Sequence, residues 1–138
     1  MTEPVLITAL LFYVNADIHL GNVIGSILSG DVHARFSRKK GLKVVYVCGT
    51  DEYGTATEMK AMQEKVTCRE LCDKYYVLQK KSVDWFNISY DIFGRTTNES
   101  QEELAHTIFT NLWKNGYLEE QECDQLWCEM CNGCRKIR

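Results

Sequence analysis

The sequence predicts an α/β fold whose parallel sheet is built from βαβ units, and three observations carry that prediction. Val5-Leu6-Ile7-Thr8-Ala9-Leu10-Leu11 is a nearly continuous apolar run, the pattern of a parallel strand covered on both faces. Residues 22–40 then place Ile24, Leu28, Val32 and Phe36 at a four-residue spacing, which makes one helical stripe. Val44-Val45-Tyr46-Val47 follows as a second buried strand. Strand, helix and strand within about 45 residues form one βαβ unit, whose crossover is right-handed in nearly all cases.

The first strand runs out into a polar loop that ends at His19-Leu20-Gly21-Asn22, where the helix begins. The first turn of a helix presents unpaired N–H groups and a partial positive charge, so this junction can hold a phosphate. Gly21 lets the backbone come close to a ligand, and His19 can donate to an anionic oxygen. A surface or capping histidine is the plainer alternative for His19, and spacing alone favours it. Arg38, Lys39 and Lys40 suit the C-terminal end of the helix, and Gly41 is its expected left-handed stop.

Residues 49–54 break the second strand ahead of a short helix over 55–65. Thr67 and Glu70 form a capping box. The helix they open carries Leu71, Tyr75, Leu78, Ser82 and Trp85 as its expected apolar stripe. Residues 89–95 suggest a short third strand. Asn98 and Gln101 repeat the capping pattern ahead of a last helix with two apolar rows, Leu104-Ile108-Leu112 and Ala105-Phe109-Trp113, which Gly116 ends. Residues 117–126 suggest an extended segment.

Composition narrows the function classes. With 138 residues, 45% hydrophobic and 25% charged, the chain suits one modest folded domain rather than a disordered one. The apolar run of residues 5–14 is too short to span a bilayer, and Glu3 argues against a signal peptide. A cytoplasmic protein with no membrane partner is expected. A net charge of −3 gives no electrostatic footprint for nucleic acid. The basic cluster Arg35, Arg38, Lys39, Lys40 and Lys43 reads as a solvated face. Of seven cysteines, Cys48, Cys68 and Cys72 lie in apolar or helical segments, whereas Cys123, Cys128, Cys131 and Cys134 crowd together near residue 130. That crowding favours a metal over disulfides in a chain without a secretory signal.

Ligands of a parallel α/β sheet bind beyond the carboxyl ends of the strands. The loop there after the second strand holds Asp51, Glu52 and Tyr53. Asp51 could hold a ligand ammonium by a charge-assisted hydrogen bond or cap the helix near Thr55, and spacing leaves both open. Neither a Walker pattern nor GxGxxG is present.

Taken in order, Ile7-Thr8-Ala9-Leu10, Tyr13-Val14-Asn15, His19-Leu20-Gly21-Asn22, residues 48–58 (CGTDEYGTATE) and residues 85–97 (WFNISYDIFGRTT) resemble the amino-terminal catalytic half of the methionyl-tRNA synthetases, in their eukaryotic style. The resemblance covers nearly the whole chain. It implies the first half of a Rossmann-like nucleotide-binding fold over residues 1–116, and the start of a zinc-binding connective insertion over 117–138. It also implies a ligase that activates methionine with ATP and Mg2+ to methionyl-adenylate, then transfers it to tRNA(Met). His19, Gly21 and Asn22 stand at the HIGH signature, which binds ATP and stabilises the α-phosphate. His19 and Asn22 are the implied catalytic residues. Leu11, Tyr13 and Asp51 stand at methionine-binding positions, and Cys128 and Cys131 at the first zinc knuckle. The family usually has Ala-Leu-Pro-Tyr before the histidine, whereas here Ala9-Leu10 is followed by Leu11-Phe12-Tyr13, with one extra residue and no proline.

No second CxxC pair independent of the first is present, so the zinc site is expected to be incomplete. The family's KMSKS loop, the second half of its nucleotide fold and its anticodon-binding domain have no counterpart in these residues. A half-fold of this kind leaves a sheet edge unpaired, so poor stability and weak ATP contact are expected. A non-catalytic nucleotide- or metal-binding half-domain, or an inert remnant, is the alternative to the ligase.

Overall fold

A computed structural model describes residues 4–122 and the backbone of residues 127–128 and 133–134. The chain divides into two compact units, Met1–Glu102 and Glu103–Arg138. In the first, β1 (Val5–Tyr13), β2 (Val44–Asp51) and β3 (Ile92–Arg95) form a parallel sheet in the order β1-β2-β3. A continuous helix joins β1 to β2. It consists of a first turn α1 (Leu20–Asn22), a π-helical stretch (Val23–Leu28) and the body α2 (Ser29–Lys39), with right-handed helical dihedrals at each junction. Helices α3 (Thr55–Glu64) and α4 (Cys68–Trp85) join β2 to β3.

The local stop and start signals act as the sequence expects. Gly41 adopts a φ of 77°, and Leu42 N–H donates to the Ser37 carbonyl at 3.2 Å, closing the helix C-terminus. At Thr67 the capping box is reciprocal, with Glu70 N–H to Thr67 Oγ1 at 3.2 Å and Thr67 N–H to Glu70 Oε2 at 2.8 Å.

The buried faces depart from the expected ones. Ile24 and Val32 are about three-fifths exposed, and Leu28 and Phe36 are exposed as well. The helix instead buries Val23, Ile27, Asp31, Ala34 and Ser37. The helix thus turns inward the row one residue earlier than the expected stripe, within the π-helical stretch and beyond it alike. The face it turns inward meets Tyr46, whose hydroxyl donates to the Ile27 carbonyl at 2.7 Å. In α4 the buried positions are Leu71, Cys72, Tyr75, Gln79 and Val83, while Leu78 and Trp85 are exposed.

The strand β1 shows a second departure. Ile7 and Phe12 are buried but Leu6, Leu10 and Leu11 are exposed, so within the described residues the apolar run is covered on one face. Its register against β2 slips between Thr8 and Leu11, where Ala9 and Leu10 together oppose Cys48. This is a β-bulge, and one extra residue turns every later side chain to the opposite face. Ile7 faces the core before it and Phe12 after it, so Leu11 and Tyr13 are turned away from the core. The Leu10 N–H at the bulge donates to Ser26 Oγ of the π-helical stretch at 2.8 Å.

Arg35 and Arg38 do more than solvate a face. Arg38 Nη1 donates to the Ser89 carbonyl at 3.0 Å and Nη2 meets Asp91 Oδ2 at 2.8 Å. Asp31, 4% exposed, accepts from Ser89 N–H at 2.6 Å and pairs with Arg35 Nε at 2.7 Å. These bonds tie α2 to the segment that leads into β3.

The second unit includes most of α5 (Glu99–Lys114), which Gly116 ends at a φ of 74° with Tyr117 N–H donating to the Leu112 carbonyl at 3.1 Å. Phe109 and Trp113 stack along it at 6.4 Å. Strands β4 (Trp127–Cys128) and β5 (Gly133–Cys134) pair antiparallel. Residues 117–122 form no strand, and the rest of the expected extended segment, 123–126, lies outside the described residues.

Candidate active site

At the carboxyl end of β1 a cleft of about 330 Å³ opens, lined by residues 10–13, Asn15, Ala16, Asp17, Ile18, His19, Asn22 and Gln79. Four residues singled out in the sequence, Leu11, Tyr13, His19 and Asn22, meet in it. Leu11 and Tyr13 reach it because of the bulge. Without that extra residue they would share the phase of Ile7 and point into the core.

His19 occupies the N-cap position of α1 in extended backbone conformation, with φ −105° and ψ 163°. Its N–H donates to Asn22 Oδ1 at 3.3 Å, and its carbonyl accepts from Asn22 N–H at 2.9 Å. The imidazole lies over Gly21, where an added Cβ would stand 3.0 Å from Cε1 and Nδ1. A glycine two residues beyond the histidine therefore lets the ring fold over the first helical turn, beside the unpaired N–H groups that favour an anion.

Asp51 lies on the neighbouring strand as the register partner of Tyr13. It does not cap α3, whose N-cap is Gly54 with a φ of 108°. Among the described residues its side chain accepts a single hydrogen bond, from Tyr53 N–H to Oδ1 at 3.4 Å, and none of them bonds to Oδ2. The adjacent Glu52 has a different role. Its carboxylate is completely buried and accepts from Thr50 Oγ1 at 3.0 Å, Arg95 Nε at 2.7 Å and the Thr97 hydroxyl. Arg95 also pairs with Asp73 at 2.6 Å. This network fixes the end of β2 from behind. Close approach of β2 to β3 requires Gly49, where a Cβ would meet the Gly94 carbonyl oxygen at 2.4 Å.

Two residues of the site escaped the sequence reading. Gln79 is 1% exposed, and its Nε2 donates to the Tyr13 and Ala16 carbonyls, both at 2.9 Å. A polar residue in strict four-residue phase with Leu71, Tyr75 and Val83 was the available signal. Ser26 had none, because its role depends on a bulge that sequence periodicity does not reveal.

The metal question falls mostly outside this region. Among the described residues no group of three or more His, Cys, Asp or Glu side chains is placed to hold a metal. The backbone of Cys128 pairs with Gly133 and that of Cys134 with Trp127. Cys123 and Cys131 lie outside the described residues. No helix among the described residues is long and apolar enough to cross a membrane.

Comparison with known proteins gives one answer. Residues 5–135 match the family model described as tRNA synthetases class I (M). The chain is 54% identical over 125 residues to the methionine–tRNA ligase of Acanthamoeba polyphaga mimivirus, covering 91% of this chain and 23% of that protein. It is 52% identical over 127 residues to the cytoplasmic methionine–tRNA ligase of Arabidopsis thaliana, covering 92% and 16%. Its fold superposes on Mycobacterium tuberculosis methionyl-tRNA synthetase in complex with methionyl-adenylate with a TM-score of 0.80, at 27% identity, covering 83% of this chain and 22% of that one. The chain thus spans between 16% and 23% of these relatives.

Proposed function

The chain belongs to the methionine group of the class I tRNA synthetases, and on that premise we propose that its cleft takes part in methionine activation. The reaction is attack of the methionine carboxylate on the α-phosphorus of ATP, forming methionyl-adenylate and releasing pyrophosphate. Transfer of the methionyl group to tRNA(Met) follows, in the cytoplasm. The observation that carries the reading is that an anion-favouring helix start follows the end of β1, while the Asp51 carboxylate stands at the end of the adjacent parallel strand as the register partner of Tyr13.

Each residue then has a chemical role. His19 and Asn22 stand at the first turn of α1, where the imidazole and backbone N–H groups stabilise charge that builds on the α-phosphate as it is attacked. Gly21 keeps that approach open. Asp51 binds the methionine ammonium by a charge-assisted hydrogen bond. Leu11 and Tyr13, turned out by the bulge, form part of the wall for the thioether side chain. ATP carries its Mg2+ on the phosphates. A zinc ion, if held, takes Cys128 and Cys131 as ligands in the family's knuckle, and it supplies structure rather than a step of this reaction. Residues 117–138 then correspond to the start of the connective insertion, and 1–116 to the catalytic half-fold.

The test is calorimetric titration of the chain with ATP and with methionine, beside methionine-dependent exchange of pyrophosphate into ATP. The expected result is ATP binding that His19→Ala weakens and methionine binding that Asp51→Asn weakens. A chain that binds neither ligand would overturn the reading.

A further inference from the structure

Resting on the reading of the cleft as the site of methionine activation, we propose that Gln79 is a positioning residue, which fixes the backbone of the turn between β1 and His19. The turn has little to hold it by itself. Among the described residues, residues 14–18 make no well-aligned backbone–backbone hydrogen bond, so much of its hold comes from elsewhere. Helix α4 supplies it at three points. Val14 is completely buried against Leu71 and Tyr75, and the Gln79 amide donates one N–H to the Tyr13 carbonyl and the other to the Ala16 carbonyl, both at 2.9 Å. These bonds join positions 66 and 63 residues apart in sequence.

The chemistry of the amide explains why this residue type is used. Two carbonyls need two donors on one short, uncharged group, which the NH2 of glutamine provides. The network also fixes the orientation of the amide, since the reversed form would set its oxygen against two carbonyl oxygens. The same orientation leaves Oε1 buried without a partner, a costly state for an acceptor. The glutamine is therefore a poor choice for the core alone, and its two donor bonds to the turn are what it offers in return. Through that turn it sets where His19 begins α1.

The test uses Gln79→Glu and Gln79→Met, two side chains of similar length that lack the donors at neutral pH. Amide hydrogen exchange is followed in the ligand-free chain, with β2 amides and thermal unfolding as references, and ATP affinity is measured in parallel. Exchange across residues 14–19 is expected to accelerate roughly tenfold in both variants, as loss of two buried hydrogen bonds implies. The β2 amides should be unchanged, and ATP binding weaker by a similar factor. Unchanged exchange in the turn of Gln79→Met, or equal acceleration throughout the sheet, would overturn the proposal. If Gln79→Glu fails to fold, Gln79→Met decides alone. A wild-type chain that binds no ATP would count against the activation reading, while exchange in the turn would still decide the role of Gln79.

Discussion

Removing the Glu52 carboxylate tests the network behind the candidate site. In Glu52→Ala, Arg95 loses its 2.7 Å partner and the hydroxyls of Thr50 and Thr97 lose their acceptor. Breaking a buried ion pair by deleting one partner costs about 3–5 kcal/mol. Arg95 is 21% exposed and keeps Asp73 at 2.6 Å, which places the loss near the lower end, at about 3 kcal/mol. With a urea m-value of roughly 1.5 kcal/mol/M, the midpoint falls by about 2 M. Glu52→Gln preserves the shape and its oxygen still accepts from Arg95 and Thr50, while the Thr97 hydroxyl can rotate to accept from its NH2. Its expected loss is about half as large. Urea titration of wild type, Glu52→Ala, Arg95→Met and the double variant closes a cycle with an expected coupling of roughly 2 kcal/mol. A midpoint shift below about 0.3 M at unchanged m, or additive single losses, would refute the argument that this carboxylate is bound into a network.

Other outcomes follow from the same structure. Val32→Lys, on the exposed helical stripe, should change stability by less than about 0.5 kcal/mol, whereas Ile27→Ala should cost about 2–5 kcal/mol by denaturant titration. Gly21→Ala should leave the melting temperature close to wild type but displace the His19 ring, and calorimetry should show weakened ATP binding. Burial pushes the Cys48 thiol up to about 12 and the Cys72 thiol up to about 11. In the folded chain iodoacetamide followed by peptide mapping should therefore label exposed Cys68 well before Cys48 or Cys72. Burial alone would raise the Asp31 carboxyl, but hydrogen bonds from Ser89 and the Arg35 guanidinium outweigh it and hold it below its ordinary 3.8. Its contribution is complete above that ordinary value and is lost as pH falls through the lower folded value. Urea midpoints of wild type and Asp31→Asn should accordingly converge in strong acid and separate near neutrality.

The sequence by itself determined the local grammar of this protein. Gly41 and Gly116 stop helices and the Thr67–Glu70 box starts one, because these effects depend on backbone freedom and on groups three residues apart. It also determined the parallel order of strand, helix and strand, and the residues 19–22 at the helix start. Tertiary structure decided which side of each element faces inward. The four-residue stripe from Ile24 to Phe36 is real in the sequence, yet Tyr46 receives the adjacent row that holds Ile27 and Ala34. The apolar run of β1 cannot show that a bulge at Ala9 and Leu10 inverts its alternation, and that inversion is what brings Leu11 and Tyr13 into the cleft. Between neighbouring acids, only packing assigned Glu52 to the interior and left Asp51 partly exposed. Periodicity reports spacing along one element, whereas orientation is set by what the neighbouring elements offer to cover it.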